Sequence, residues 1–404
     1  MLLLVACTDG TVALGDARVV GVETVPGVVA DTGDTGEPDT EPSAEALFSP
    51  DTLHVVTLTI EPDAMDRMVD DLYSYVPAEL TVDGAVFPDV GVRIKGRLGS
   101  LRVPPDKAAF KVDLLELGGT DTLGGLEKIN LNNMVQDCAK THELAAYGIH
   151  RLVGLPAARV GYAQLFLNGE DYGVYSLVED YDDEFLQDNF ADASGNLYDG
   201  DYVLWRDGSY TLVDFTAQAQ AYFELDEGVD VGLADLAAIT QAVARATADD
   251  FEGVVGPLVD LDQLAAFVAV SAWTGHADSY SYYSNNYRVY LDPARDGRAV
   301  FFPWDPDWAF YAGTSVDAPY GVLAQKCLAD ASCREDVRAA IETLSATVPG
   351  SQVQADVEAA VALLEEPLRD DPKLESRMWD VRACQDDQVA WFARRGGELA
   401  GWPR

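Results

Sequence analysis

Two short stretches of the sequence place acids in apolar, aromatic company. They are His276-Ala-Asp278-Ser-Tyr-Ser-Tyr-Tyr-Ser-Asn285-Asn286 and Pro303-Trp-Asp305-Pro-Asp307-Trp308. Carboxylates and carboxamides are hard oxygen donors, suited to Mg²⁺ or Mn²⁺ bridging phosphates. Ca²⁺ is the weaker alternative, because no glycine-punctuated acidic loop accompanies them. A turn held by Asx hydrogen bonds is the purely structural one. A third stretch runs Arg93-Ile-Lys95-Gly-Arg97-Leu-Gly-Ser100 and continues at Lys107-Ala-Ala-Phe-Lys111. It gathers five cations around two glycines. Backbone N–H groups of such a turn can approach phosphate oxygens, and lysine adds a point charge. The alternative is a solvated basic edge, since the pattern is neither a Walker A loop nor Gly-x-Gly-x-x-Gly.

The rest of the chain sharpens the contrast. Its 404 residues carry 69 acids against 27 Lys and Arg, a formal charge of −42. A field of that sign repels nucleic acid and anionic membranes, so neither is an expected partner. Only seven residues are lysine, and five of them fall between Lys95 and Lys140. A hydrophobic content of 48% excludes a mostly disordered protein.

These residues need elements to position them. Leu53 to Ile60 is β-branched and reads as a strand, and residues 62–75 as a short helix. Asp83-Gly84 marks a hairpin turn after 79–82. Further strands are expected at 89–97 and 108–116. A helix over about 139–153 carries Glu143 and stops at Gly154 and Pro156. A second hairpin, 159–167 and 172–178, turns at Asn168-Gly169. Beyond 181, helices are expected at 233–247, at 261–273 and several times after 334, interrupted by a strand pair at 287–291 and 298–302. Strands first and helices later predict an α+β fold of two lobes. The division is 51–180 for the nucleotide phosphate side and 181–404 for the catalytic and metal residues.

The order Lys, helix Glu, Asp, Asn, Asp is that of protein kinases. Arg93-Ile-Lys-Gly, Lys107-Ala-Ala-Phe-Lys, the Glu143 helix, Leu167-Asn-Gly-Glu-Asp-Tyr-Gly-Val-Tyr-Ser-Leu-Val-Glu179, Asn285-Asn-Tyr-Arg-Val-Tyr and Pro303-Trp-Asp-Pro-Asp together resemble the spore-coat protein H (CotH) kinase family. The resemblance runs from about 53 to 312. It implies an atypical protein-kinase-like fold that uses ATP with Mg²⁺ or Mn²⁺ to phosphorylate Ser/Thr of a protein. It implies Asp278 as the catalytic acid, with Lys107 on the nucleotide phosphates and Glu143 orienting that lysine. Arg93, Lys95, Lys111 and Glu179 join the nucleotide set, Lys111 as a second candidate for the phosphate lysine and Glu179 facing the adenine. Asn286, Asp305 and Asp307 are the metal ligands, with Asn285 open as the alternative amide and the choice between the two acids open as well. Leu98 and Gly99 replace the small hydroxyl residues common in the family, which leaves a catalytically silent surface or adhesion module as the other reading.

The amino terminus adds a location. Leu4-Val5-Ala6-Cys7 resembles a lipobox, so residues 1–7 are expected to be a lipoprotein signal remnant acylated at Cys7. The missing positive n-region is what a start inside a longer signal peptide would leave. Residues 31–45 hold six acids and no base, and 8–50 read as a flexible acidic tether. A bacterial cell-envelope protein, periplasmic or surface-exposed and monomeric, is expected. Cys138, Cys327, Cys333 and Cys384 allow three pairings; Cys327 and Cys333 bracket a short loop and could pair, leaving Cys138 with Cys384, with reduced buried thiols as the alternative and a Zn site the weaker one.

Overall fold

The computed structural model describes residues 42–403. The lipobox cysteine and most of the expected tether lie outside the described residues. The tether's expected end at residue 50 is too late. Residues Ala44–Leu47 form a helical turn, and Leu47 and Phe48 are buried in the first hydrophobic core. Among the described residues, no helix is long and apolar enough to cross a membrane.

The fold mixes α and β, as the element order predicts, but its first half closes on itself. Strands β1 (Leu53–Thr59), β2 (Val76–Val82), β3 (Ala85–Lys95), β4 (Ala109–Asp113), β5 (Lys128–Asn132), β6 (Val160–Leu167) and β7 (Glu170–Glu179) form a closed barrel in the order 1-2-3-4-5-7-6. All neighbours are antiparallel except β1 and β6, whose parallel pairing closes the wall. Closure removes the unpaired edges that an open sheet would leave. The expected strand at 89–97 is the continuation of the 85–87 arm. Pro88 and Asp89 sit at a register shift between them, and Asp89 takes a left-handed φ of 59°. Such a bulge accommodates a proline that cannot donate to the ladder.

Alternation divides the barrel wall. Val92 and Ile94, Phe110 and Val112, Ile129 and Leu131, and Tyr175 and Leu177 fill the interior. Their neighbours Arg93, Lys95, Lys111, Asn130, Asn132 and Ser176 therefore face outward. This outer face positions the site.

The second half adds strands β8 (Leu197–Asp199), β9 (Val203–Leu204), β10 (Tyr210–Thr211), β11 (Glu224–Glu227), β12 (Tyr287–Asp292) and β13 (Arg298–Pro303). Four of them form a sheet ordered β11-β8-β12-β13, so the predicted strand pair is half of a larger sheet. The main helices are α1 (Pro62–Asp70), α2 (His142–Leu152), α3 (Leu261–Thr274), α4 (Ala331–Thr347), α5 (Gln352–Asp370) and α6 (Met378–Glu398). Helix α3 is buried along almost its whole length. It ends at Gly275, whose left-handed φ of 62° closes the helix and where a Cβ would lie 2.9 Å from the Trp391 ring. A second core joins α2, α3, the sheet and the carboxy-terminal helices to the outer faces of β6 and β7.

One carboxylate sits uneasily in this core. Asp182 caps a short helix through Phe185 N–H, at 3.2 Å. Burial, then the neighbouring Asp180 and Glu184, push its carboxyl up to about 8. Below the unfolded value near 4 both states hold the proton, so no penalty exists; the folded state is destabilised as pH rises from about 4 towards 8. Asp182→Asn keeps the cap. It should raise the melting temperature at pH 7.5 and leave it unchanged at pH 4, which calorimetry at the two pH values checks.

Candidate functional site

Three turns place the acids. After Gly275, the chain reaches Asp278 and a short helix over Tyr280–Tyr283. Ser284 and Asn286 then take left-handed φ values of 51° and 50°, and β12 begins. Asn tolerates this conformation better than most residues. The β12–β13 hairpin pairs Tyr287 with Pro303 and returns Asp305, at φ 43°, to the side of Asn286. Trp304 N–H donates to Asn286 O at 2.9 Å, and Asn286 Nδ2 lies 3.3 Å from Asp305 O. The length of the β12–β13 hairpin thus sets Asn286 and Asp305 side by side. Two non-glycine residues in left-handed backbone, facing one another, mark a site where conformation is held by its surroundings.

Both carboxamides serve Asp278. Asn285 Nδ2 and Asn286 Nδ2 donate to Asp278 Oδ2 at 3.1 and 3.0 Å. Asn285 Oδ1 also accepts from Tyr202 N–H at 3.1 Å, which leaves Asn286 nearer the Asp305 turn. Burial, with repulsion from Asp305, raises the Asp278 carboxyl to about 7 against the opposing Asn bonds.

Helix α2 holds the turn from the other side. His142 Nδ1 is 2.9 Å from Asp307 O, and Tyr147 Oη accepts from Asp305 N–H at 2.9 Å. Glu143 lies one turn before Tyr147 and reaches the barrel. It accepts from Asn132 Nδ2 at 2.7 Å and from Ser176 Oγ at 2.8 Å. Burial and the nearby Asp305 push Glu143 up to about 7, with Lys95 pulling the other way. Asp305 is raised by burial, and Asp307 well above the carboxylate range by burial and by Asp305, Glu143, Asp137 and Asp278.

The cation in this cluster is Lys95. Its Nζ donates to Asn132 Oδ1 at 2.6 Å and lies 4.9 Å from the centre of the Trp304 ring. Lys107, expected beside Glu143, is elsewhere. It is 3% exposed and ion-paired with Asp371 at the end of α5, whose side chain is fully buried. The reason is direction: Lys107 precedes β4 and projects over Tyr175 at the barrel mouth, 5.3 Å from that ring. Lys111 shares the outer face with Lys95 but is paired with Asp180. Burial alone would raise Asp180; Lys111 and Lys128 instead hold it down at about 2. Arg93, next to Lys111 across the β3–β4 ladder, lies over Tyr75. Glu179 is buried and engaged by Arg159, which takes both its oxygens, at 2.9 Å from the backbone N–H and 3.0 Å from Nε.

The glycine segment meets the Asp278 turn through Tyr202. Gly96 and Gly99 have φ of 109° and 89°, and a Cβ on Gly99 would fall 2.6 Å from Gln136 Nε2. Leu98 N–H donates to Tyr202 Oη at 3.0 Å, and Arg97 binds the Tyr202 carbonyl at 2.5 Å. Because Tyr202 N–H meets Asn285, the loop is tied to the Asp278 turn. Arg288 on β12 lies 4.8 Å from the centre of the Trp304 ring and is matched by Asp199, Asp201 and Asp226 at 2.9, 3.6 and 3.2 Å.

Of the residues singled out in the sequence, the structure brings Asp278, Asn286, Asp305, Asp307, Glu143 and Lys95 together. The sequence reading passed over Asn132, Ser176 and Tyr147. Asn132 carried a signal: Lys128-Ile-Asn-Leu-Asn132 alternates, which puts its amides on a face opposite Ile129 and Leu131.

The chain matches the description "CotH kinase protein" over residues 92–389. It belongs to the CotH kinase family. The match begins within β3 and reaches into α6, further along the chain than the 53–312 span read from motifs. Invasin CotH2 of Rhizopus delemar (strain RA 99-880) is 24% identical over 212 residues, 50% of this chain and 35% of that relative. The chain therefore spans about a third of the length of the curated relative it matches.

The carboxy-terminal helix that ends the CotH match braces the site. Cys138 and Cys384 form a disulfide across 246 residues, and Cys327 pairs with Cys333, which selects one of the three pairings the sequence allowed. Beside the first bridge, Gln385 Nε2 and Gln388 Nε2 donate to Ala139 O and Thr141 O at 3.1 and 3.2 Å. Asp137 accepts from the N–H groups of Ala139, Lys140 and His142 at 2.8–2.9 Å. The start of α2 is thus pinned from both sides. Cys138→Ala with Cys384→Ala should lower stability by about 2–5 kcal/mol, read as a lower denaturation midpoint without reductant.

Proposed function

We propose that this CotH kinase family member is an envelope-anchored, ATP-dependent phosphotransferase that modifies Ser or Thr of a secreted or surface protein. The observation that carries the reading is the convergence of Asp278, Asn286 and Asp305 on one turn pair, facing Lys95 from the barrel and Glu143 from α2. In this reading the barrel is the phosphate-side lobe and the helical half with its four-stranded sheet the catalytic lobe of a kinase-like arrangement. The lipobox supports a lipid anchor through Cys7.

Asp278 receives the proton of the acceptor hydroxyl while that oxygen attacks the γ-phosphorus and ADP leaves. The two asparagine amides occupy its Oδ2, and among the described residues no hydrogen bond reaches Oδ1, which is left for the acceptor. Lys95 carries positive charge to the phosphates.

Among the described residues no group of three or more His, Cys, Asp or Glu side chains is gathered to hold a metal ion. The candidate set is instead two carboxylates and one carboxamide, Asp305, Asp307 and Asn286. Its chemistry fits Mg²⁺ or Mn²⁺: burial and the neighbouring Asp305 raise the proton affinity of Asp307, a crowding that a cation relieves. A cation there would neutralise the phosphate oxygens as charge develops.

The test is label transfer from γ-labelled ATP to a mixed Ser/Thr peptide library, with Mg²⁺ or Mn²⁺ and with EDTA. Transfer should require metal and be lost in Asp305→Ala. Transfer undiminished in EDTA would overturn the reading. The name of the invasin relative supports a second one, an adhesion module with the same fold. Calorimetric titration separates them, because that module should bind no ATP in the presence of metal.

A further inference from the structure

The geometry points to Asn132 as a positioning residue that holds Lys95 and couples it to Glu143. The inference rests on the phosphotransferase reading for its kinetic arm only. Lys95 pairs with Ala109 in the β3–β4 ladder, and Asn132 pairs with Ser176 in the β5–β7 ladder. Phe110 pairs with Leu131, so Ala109 and Asn132 stand one step further along the same ladder. Lys95, Ala109, Asn132 and Ser176 thus make one outward row across four strands.

Glu143 sits over the Asn132 and Ser176 end of that row. Lys95 is two strands away, about 10 Å between backbones. No direct ion pair joins the lysine to the glutamate; the carboxamide stands between them, at 2.6 Å from the ammonium and 2.7 Å from the carboxylate. Only a side chain that accepts and donates at once can do this. An amide can, whereas an ionised aspartate accepts only and an aliphatic residue does neither. Ala109 makes the reach possible. Its methyl is the smallest outward side chain that a non-glycine residue offers, so the Lys95 stem can cross β4 without obstruction. Asn132 itself is 7% exposed, and Trp304 flanks the ammonium.

Two readouts on the full chain test this. Acylation of Lys95 by N-hydroxysuccinimidyl acetate, followed by peptide mass mapping, should be about fivefold faster in Asn132→Ala than in wild type, with Lys111 as internal reference. Asn132→Ser, which keeps a polar side chain too short to bridge, should move in the same direction, and thermal melting shows that both variants fold. In phosphotransfer, Asn132→Ala should lower kcat/KM for ATP about tenfold to a hundredfold. In a Lys95→Ala background, the same substitution should cost nothing more, since its effect passes through the lysine. Unchanged Lys95 labelling, or an equal loss in the Lys95→Ala background, overturns the assignment. A wild type that transfers no phosphate would overturn the catalytic reading alone, because the labelling arm still decides the role of Asn132.

Discussion

Asp278→Asn should lower the phosphotransfer rate by about 10²–10⁴-fold, the range expected when a positioned proton acceptor is removed. The substitution is nearly isosteric, and it replaces the one side chain in the turn on which two amides converge. In the folded protein, Asn285 and Asn286 spend their donors on Asp278 Oδ2. An amide at 278 can still accept one of those bonds through its oxygen, so the turn should persist and ATP binding should stay within a few fold of wild type. What is lost is an oxygen able to take the acceptor proton. A combined measurement of rate by label transfer and of ATP affinity by calorimetry separates these effects. A parallel fall in both would assign Asp278 to nucleotide binding instead. Asp305→Asn serves as the contrast. It leaves Asp278 in place but halves the carboxylate pair, and its main loss should be metal-dependent ATP binding. Equal affinity of that variant in Mg²⁺ and in EDTA-treated wild type is the expected result.

The parts of this site that were legible in the sequence are those fixed by local geometry. A hairpin of known length had to bring Asp305 back to Asn286, and it does. The order of the motifs singled out Glu143 on the helix that became α2, and the structure turns that residue to the barrel. The short loop between Cys327 and Cys333 pointed to one of three cysteine pairings, and the structure has that one. What could not be read was decided by tertiary direction. Lys107 and Lys95 look equivalent in a list of cations, yet the partner that claims Lys107 is Asp371, 264 residues away. The resemblance put Glu179 at the lobe junction facing the adenine, but Arg159 at the start of the adjacent strand engages both its oxygens. The barrel itself was hidden because closure depends on one parallel contact, β1 with β6, between segments more than a hundred residues apart. Strand β5 was hidden by its two asparagines, residues depleted in strands, and those asparagines are what the site required of it.

The two lysines now give opposite predictions for the same substitution, which makes them the sharpest check on the assignment. Lys107→Met removes one partner of a buried ion pair and leaves Asp371 without its counter-charge. Uncompensated buried charge typically costs about 3–5 kcal/mol. Burial already pushes the Lys107 ammonium below its ordinary value in spite of Asp371, so the pair has little solvent to fall back on. Part of the carboxylate's bonding survives, since the N–H groups of Val174 and Lys373 donate to it at 3.0 and 2.8 Å. The expected result is a markedly lower melting temperature, with ATP affinity per folded molecule unchanged. Lys95→Met should do the reverse. Its ammonium is held by one amide and one indole face, and a methionine can lie along the same track over Ala109 with little loss of packing. Stability should change by less than about 1 kcal/mol, while ATP affinity falls and phosphotransfer drops by about 10²–10³-fold, as for removal of one preorganised charge from a reacting centre. Denaturation midpoints and ATP titrations on the two variants decide the matter. If Lys107→Met were the one to fold normally and lose ATP, the phosphate would lie at the barrel mouth and not on its outer face.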